Sequence, residues 1–286
     1  MSQFNLGDAN HGIGFSDAEY HEFRLFLQQA CGIDLGPGKE YLVATRVRRI
    51  LAQEHIANVT TLLTMLRSPA QRALRQEVVD AMTTNETLWF RDGYPFDYLK
   101  RTVFPGYIKE RRYSLRIWSA ACSSGQEPYS LSMTVHEFNH ARAGELALRA
   151  QIDATDISTE ILASAKSGIY DRLSICRGLS QDRLQLYFSS TNDGHWQIKP
   201  NIKEAVNFRS LNLQSDSFGA SNYDLIFCRN VLIYFNAELK QKILRRMHAV
   251  LAPGGLLFMG ASEGVNGVDE LFSVVNCQPG IAYRKR

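Results

Sequence analysis

The sequence has no run of eighteen apolar residues, and its opening stretch, MSQFNLGDANHGIG, has neither a basic segment nor an apolar core. These absences argue against a membrane-spanning helix and a secretory leader, and predict a cytoplasmic protein. The five cysteines, Cys31, Cys122, Cys176, Cys228 and Cys277, are widely spaced and never form a C-x-x-C pair. Their odd number and spacing argue against a disulfide framework and a zinc site, and predict buried free thiols. Net charge is small, +3 on 286 residues, so nothing implies nucleic acid and any electrostatic partner must be sought in a local patch. The dinucleotide fingerprint Gly-x-Gly-x-x-Gly is missing too: in the small-residue stretch 120–125 only Gly125 is glycine.

That stretch lies within LRIWSAACSSGQEPYSL at 115–131, which reads as a buried strand, a tight turn and a helix. In a parallel α/β sheet, ligands bind where strands end and helices begin, and small residues there, Ala121 among them, let the backbone come close. Glu127 at the helix start would repel phosphate and suits a cation. S-adenosylmethionine fits, having an ammonium, a sulfonium and no phosphate. The alternative is a close-packed loop with Glu127 as an ordinary N-terminal helix charge.

With 45% hydrophobic and 21% charged residues, the composition is that of a globular protein long enough for two domains. Residues 1–14 read as a mobile tail. Residues 15–82 read as a helical domain: Ser16-Asp17-Ala18-Glu19 is a capping box, and Gly32 closes the first helix. A second helix, from about Lys39 to Gln53, should turn Leu42, Val43, Val47, Ile50 and Leu51 inward and leave Arg46, Arg48 and Arg49 largely outside. A third covers Thr60 to Leu66, and Ser68-Pro69 starts a fourth. The basic face is either a solvated helix side or a docking surface for an acidic helical partner.

Residues 83–94, a polar connector ending in aromatics, are expected to pack across a site. A helix from Pro95 to Phe104 should end at Pro105-Gly106. The α/β domain then runs from 95 to 286. Its second strand, Gln151 to Thr155, ends in Asp156, placed either to bind ribose hydroxyls or to cap the next helix. A small antiparallel insertion at about 170–209 contains a hairpin turning at Asn192-Asp193-Gly194. Tyr223 to Cys228 is a further strand, with Arg229-Asn230 at its end. Asn236 can cap a helix that Pro253-Gly254-Gly255 terminates. Two final strands form a hairpin, the plan of class I, Rossmann-like methyltransferases. His136-Glu137-Phe138-Asn139-His140 matches H-E-x-x-H formally, but its helix turns Phe138 to the sheet and no third ligand is evident, so no metal is expected.

With these pieces placed, the chain resembles the chemotaxis-receptor methyltransferases, the CheR family of protein-glutamate O-methyltransferases. The matches are TTNETLWFR at 83–91, WSAACSSGQEPYS at 118–130, ATDIS at 154–158, SGIY at 167–170, LSQDRLQLYF at 179–188 and FCRNVLIYF at 227–235. The resemblance implies that Asn85, Thr87, Arg91 and Glu127 contact the methionine end of S-adenosylmethionine, and that Asp156 holds the ribose. It also implies that Asn212, Leu213, Arg229 and Asn230 line the adenosine pocket. It suggests that the helix carrying Arg46, Arg48 and Arg49 docks on the cytoplasmic methylation helices of a chemoreceptor. A monomeric, cytoplasmic enzyme recruited to membrane receptor arrays, without direct membrane insertion, is then expected. The compact stretch Ser189 to Pro200 departs from members that tether to a receptor's C-terminal pentapeptide, whose loop is longer, so no tether is expected.

For the chemistry, an ionised glutamate acceptor needs no general base, and Arg91 and Tyr234 are the nominated catalytic pair. Their alternatives are a surface ion pair and a core tyrosine with a satisfied hydroxyl. The rival functions are a nitrogen methyltransferase, disfavoured because no proline follows Arg229-Asn230, and a binding module that senses cofactor or product.

Overall fold

The computed structural model describes residues 14–220 and 222–286, and the chain divides into two compact units, 1–83 and 84–286. Of the expected tail only Gly14 is among the described residues. The first unit is helical: α1 (Asp17–Cys31), α2 (Glu40–Gln53), α3 (Val59–Arg67) and α4 (Arg72–Met82). Ser16 and Glu19 form the reciprocal capping box, and Gly32 closes α1 in the left-handed conformation.

Helix α2 buries Val43, Ala44, Val47, Ile50 and Leu51, but Leu42, expected inside, is 40% exposed. At about 100° per residue, Leu42 lies far from the centre of the stripe those residues define. Arg46 is not a free surface cation. Its Nη1 donates to the Met82 carbonyl at 2.7 Å and the Thr83 carbonyl at 3.2 Å, satisfying the C-terminal end of α4. Arg48 and Arg49 are exposed. Helix α4 starts at Arg72 rather than at Ser68-Pro69, because Pro69 sits in a turn closed by the Gln71 amide on the Ser68 carbonyl at 3.1 Å.

In the second unit, α5 (Tyr94–Tyr98), a π turn (Leu99–Val103) and α6 (Phe104–Lys109) form one continuous helix that Pro105 does not end. Proline cannot donate to the carbonyl four residues back. The chain widens by one residue instead, and the Phe104 amide bonds the Leu99 carbonyl. Then follow β1 (Ser114–Ala120), α7 (Gln126–His140), β2 (Arg149–Asp156), α8 (Thr159–Ser167), β3 (Ile169–Tyr170), α9 (Arg172–Cys176) and α10 (Gln181–Tyr187). The chain continues through β4 (Phe188–Ser190), β5 (Trp196–Ile198), α11 (Pro200–Lys203), β6 (Val206–Ser210) and β7 (Tyr223–Cys228). It closes with α12 (Ala237–Val250), β8 (Leu251–Met259), β9 (Phe272–Cys277) and β10 (Gly280–Lys285).

The large sheet has the order β6-β2-β1-β7-β8-β10-β9, parallel except for β10, which runs antiparallel to β8 and β9. Alternate residues feed two cores. Ile117, Leu225 and Phe227 lie in one with Leu131 and Phe138 of α7, while Trp118, Ile226 and Cys228 lie in the other with Ile243 and Met247 of α12. Asn236 caps α12 as expected, its Oδ1 accepting from Leu239 at 2.9 Å. That helix ends three residues before Pro253: Pro253-Gly254-Gly255 forms an irregularity in β8, where pairing jumps from Tyr223–Leu251 to Leu225–Leu256.

The small antiparallel sheet has the order β3-β5-β4. Two-residue β3 is too short to show alternation, and β6, at the end of the expected insertion, pairs with β2 of the large sheet. The stretch that leads into α5 is pinned here. Trp89 is buried against Tyr170 and Phe188. Its amide donates to the Arg177 carbonyl and its indole to the Ser174 carbonyl, each at 3.0 Å. Gly178, at φ +93°, lies so close that a Cβ would stand 2.3 Å from the Trp89 carbonyl oxygen. Gly178→Ala should therefore cost about 2 kcal/mol or more and lower the Tm by roughly 4–8 °C in a thermal unfolding scan.

Candidate active site

In the large sheet, β1 leads to β2 and β6 on one side, and the chain then returns to β7 on the other. The carboxyl ends of β1 and β7 thus form the topological switch point, where an open α/β sheet binds its ligand. The loop after β1 hugs the end of β2. Cys122 donates its amide to the Thr155 carbonyl at 2.9 Å, and Ser123 donates its amide to Asp156 Oδ2 at 2.8 Å. Ala121, Ser123 and Gly125 all adopt positive φ. At Gly125, a Cβ would press on Tyr129, Tyr170 and Ala165 at 3.1–3.2 Å, so the residue is needed for fit as well as for conformation.

Asp156 is not the helix cap: Ser158 caps α8, and its own amide donates to Asp156 Oδ1 at 3.0 Å. The Leu211 amide bonds the Asp156 carbonyl at 2.9 Å, which brings 211–213 beside this carboxylate. Asn212 Oδ1 accepts from the Gln214 amide at 2.9 Å. Leu213 has its side chain in the core, and its carbonyl accepts from Arg246 at 2.7 Å. Asn85 also reaches the loop, its carbonyl accepting from Ser123 Oγ at 2.7 Å. Thr87 and Arg91 follow on the same stretch, both half-buried.

Glu127, in the first turn of α7, is 13% exposed at its side chain and bridges the two strand ends. Its Oε1 accepts from Ser119 Oγ at 2.7 Å, and its Oε2 accepts from Arg229 Nη1 at 3.3 Å. Burial raises its pKa above the ordinary carboxylate value, a rise that Arg229, Ser119 and the Arg91 charge oppose without cancelling. The Arg229 side chain is 2% exposed. Its Nη2 also donates to the Asp92 carboxylate and to the Arg91 carbonyl. Asn230, at φ +58°, donates its amide to Glu263 Oε2 at 2.7 Å. Tyr234 lies in a single 3-10 turn (Leu232–Tyr234), its ring packed on the second core.

Asp92, Ser119 and Glu263 were not expected. Asp92 stands beside the motif that ends at Arg91, and Glu263 lies in a GASEG turn after β8, a faint signal of the kind a strand-end carboxylate gives. The H-E-x-x-H match is explained without a metal. Glu137 accepts from Arg183 at 2.7 and 3.1 Å and from Lys100 at 2.8 Å, and His136 Nδ1 meets the Tyr187 hydroxyl at 3.3 Å. Burial pushes the Glu137 pKa up, but these bonds outweigh it and hold the group below its ordinary value. Among the described residues, no group of three or more His, Cys, Asp or Glu could hold a metal ion.

A parallel sheet closed by an antiparallel hairpin, a small-residue loop after β1 and an acid at the end of β2 define a class I methyltransferase that uses S-adenosylmethionine. The residues fit that cofactor. Glu127 and Asp156 suit its cations and ribose hydroxyls, and Asn230 Oδ1 and Arg229 Nε are buried without a protein partner. Residues 85–281 match the family described as CheR methyltransferase, SAM binding domain, and residues 18–83 match CheR methyltransferase, all-alpha domain. The chain belongs to the CheR methyltransferase family.

The chain is 50% identical over 272 residues to chemotaxis protein methyltransferase 1 of Pseudomonas aeruginosa, covering 95% of this chain and 99% of that one. It is 49% identical over 269 residues to chemotaxis protein methyltransferase Cher2 of Pseudomonas putida, covering 94% and 98%. To the chemotaxis protein methyltransferase of Escherichia coli it is 33% identical, covering 92% and 90%. No helix among the described residues is long and apolar enough to cross a membrane.

The raised pKa of Glu127 has a readable consequence. A cationic ligand needs the ionised carboxylate, so affinity for S-adenosylmethionine should fall on acidification at a higher pH than an ordinary glutamate would dictate. Calorimetry across pH should show this in the wild type. Glu127→Gln should bind roughly ten- to a hundredfold more weakly at neutral pH and lose that pH dependence.

Proposed function

We propose that the protein transfers the methyl group of S-adenosylmethionine to glutamate side chains on the cytoplasmic methylation helices of chemoreceptors. The products are glutamate methyl esters and S-adenosylhomocysteine. One observation supports this reading above the rest: every carboxylate of the site is already committed. Asp92 pairs with Arg229, Glu127 with Ser119 and Arg229, Asp156 with two backbone amides and Glu263 with four. Among the described residues no histidine bonds to any of them. A site without an uncommitted base suits an acceptor that arrives as a nucleophile. A glutamate of pKa about 4.3 is ionised at neutral pH, whereas an alcohol or an ammonium must first lose a proton.

When bound, S-adenosylmethionine supplies a methyl group made electrophilic by its sulfonium. In this reading Asn85, Thr87, Arg91 and Glu127 hold its methionine end, and Asp156 its ribose. Ala121, Asn212, Leu213, Arg229 and Asn230 line the remainder of the pocket. Arg91 and Tyr234 orient the acceptor carboxylate, the arginine by charge and the tyrosine by its hydroxyl. Positioning of this kind supplies several kcal/mol of barrier reduction without proton transfer.

Receptor docking is assigned to α2, through Arg48 and Arg49. Arg46 keeps the surface in shape by satisfying the end of α4. Like the relatives named above, the protein would serve chemotaxis, as a monomer recruited to receptor arrays.

Radiolabelled transfer to receptor cytoplasmic fragments should give label that mild alkali releases as methanol. Alkali-stable label would move the chemistry to nitrogen. No turnover despite tight cofactor binding would make the protein a sensing module. Arg91→Ala should cut turnover about a hundredfold with the fold intact, and Tyr234→Phe about tenfold or more with unchanged cofactor affinity.

The hairpin from β4 to β5 is closed tightly, with the Thr191 amide on the His195 carbonyl at 2.9 Å and the His195 amide on Thr191 Oγ1 at 3.1 Å. So short a turn supports function without a receptor tail tether. Calorimetry with a C-terminal receptor pentapeptide should show no binding tighter than about 1 mM, and a micromolar complex would remove this part of the reading.

A further inference from the structure

We propose that Glu263, outside every motif that marks the site, is a positioning residue for methyl transfer. It fills an anion-binding nest formed by the backbone of residues 230–233 and so sets where Asn230 and Tyr234 stand. The inference rests on the roles given to those two residues above.

Glu263 Oε2 accepts from the Asn230 amide at 2.7 Å and the Gly260 amide at 2.8 Å, and Oε1 from the Val231 amide at 3.0 Å and the Ile233 amide at 3.2 Å. Each amide lies just past a strand end or at a short turn. Successive amides that converge after a left-handed residue form a concavity that binds anions, and Asn230 is that residue. Here the anion is the chain's own side chain.

Three residues interlock at this point. A Cβ on Gly260 would stand 2.7 Å from Glu263 Oε2, 2.8 Å from Asn230 Nδ2 and 3.0 Å from the Asn230 amide nitrogen, so only glycine lets the clamp close. The turn that carries Tyr234 hangs from the clamped segment, its amide bonding the Val231 carbonyl at 3.2 Å. Arg229 directly precedes it. One carboxylate therefore governs a stretch in which three site residues fall within six positions.

A cavity of about 180 Å³, lined by Leu232, Ile233, Lys240, Ser262 and Glu263, opens beside the carboxylate. A small anion from solvent has a way to the nest if the side chain is shortened, and Lys240 favours its arrival.

The test compares wild type with Glu263→Ala. It measures kcat for transfer to receptor fragments, the Kd for S-adenosylhomocysteine by calorimetry and the Tm, in formate and in chloride at equal ionic strength. We expect kcat to fall about a hundredfold and the Kd to weaken about tenfold, with both largely restored by formate and not by chloride. Values within about twofold of wild type with only a lower Tm, or losses that formate leaves untouched, would overturn the proposal.

If Glu263→Ala does not fold, Glu263→Gln decides. It keeps the volume but turns an amide N–H₂ toward two of the donors, and wild-type kcat and Kd in that variant would overturn the inference. Should the wild type itself transfer no methyl group to receptor fragments, the functional reading fails, while the calorimetric comparison still tests Glu263.

Discussion

A guanidinium taken almost wholly out of water is the constraint on which this site depends. Removing a charge of that size from solvent costs several kcal/mol unless partners surround it. Arg229 finds them in Asp92, Glu127 and the Arg91 carbonyl. These partners come from two separate parts of the chain: the connector before α5 and the head of α7. The arginine at the end of β7 thereby fixes both against the switch point. The two carboxylates balance Arg229 and the nearby Arg91 charge, and Asp156 at the end of β2 tips the site to a net negative charge. A cationic ligand meets a field of the right sign without any carboxylate being left unpaired in its absence. Asp92, at 39% exposure, is the solvated end of the chain of charges, and Glu127 is the desolvated end.

Backbone strain is concentrated around the same cluster. Among the described residues seven non-glycines adopt positive φ, and five of them, Phe90, Asp92, Ala121, Ser123 and Asn230, lie in the segments that meet there. Such conformations cost roughly 1–3 kcal/mol each and persist only where surrounding bonds over-determine them. The bonds are identifiable. Ser130 Oγ receives the Phe90 amide at 3.1 Å, Asp156 receives that of Ser123, and Glu263 receives that of Asn230. The hydrophobic cores on the two faces of the sheet offset this cost, and the strained loops gather at the carboxyl ends of the central strands, where the strand order reverses.

What could be read from the sequence was what is encoded locally. The capping box at Ser16, the cap at Asn236 and the left-handed Gly32 depend on neighbours within a few residues, and each is found. The wholly buried β7 showed itself as an apolar run broken only by Asp224, whose carboxylate accepts from the Arg112 guanidinium and the Arg116 amide. Leu42 and Pro105 were misjudged for opposite reasons. One needed the stripe's angle rather than its membership, and the other a helix able to add a residue to a turn. Asp156 and Arg229 were legible because they stand at strand ends, and Glu127 because it stands at the head of the helix after the first strand, positions that pattern reveals. Asp92 and Glu263 were not, because their meaning lies in partners 137 and 33 residues away along the chain. Arg46 likewise looked like surface charge until its carbonyl partners at the end of another helix came into view.

The same carboxylates settle a chemical problem that any methyl-transfer site of this composition must solve. Cys122 and Cys228 stand in the segments that build it, their side chains turned into the hydrophobic packing behind, and a thiolate is a far better nucleophile toward a methyl donor than a carboxylate is. Both thiols are fully buried, which pushes their pKa values well above the ordinary value. The nearby negative charges push further in the same direction, Asp156 and Glu127 for Cys122, and Glu263 and Glu127 for Cys228. At neutral pH both therefore remain protonated and inert. An acidic site is then more than a receptor for a cation. Its charges also add to the burial that keeps both thiols protonated behind the switch point.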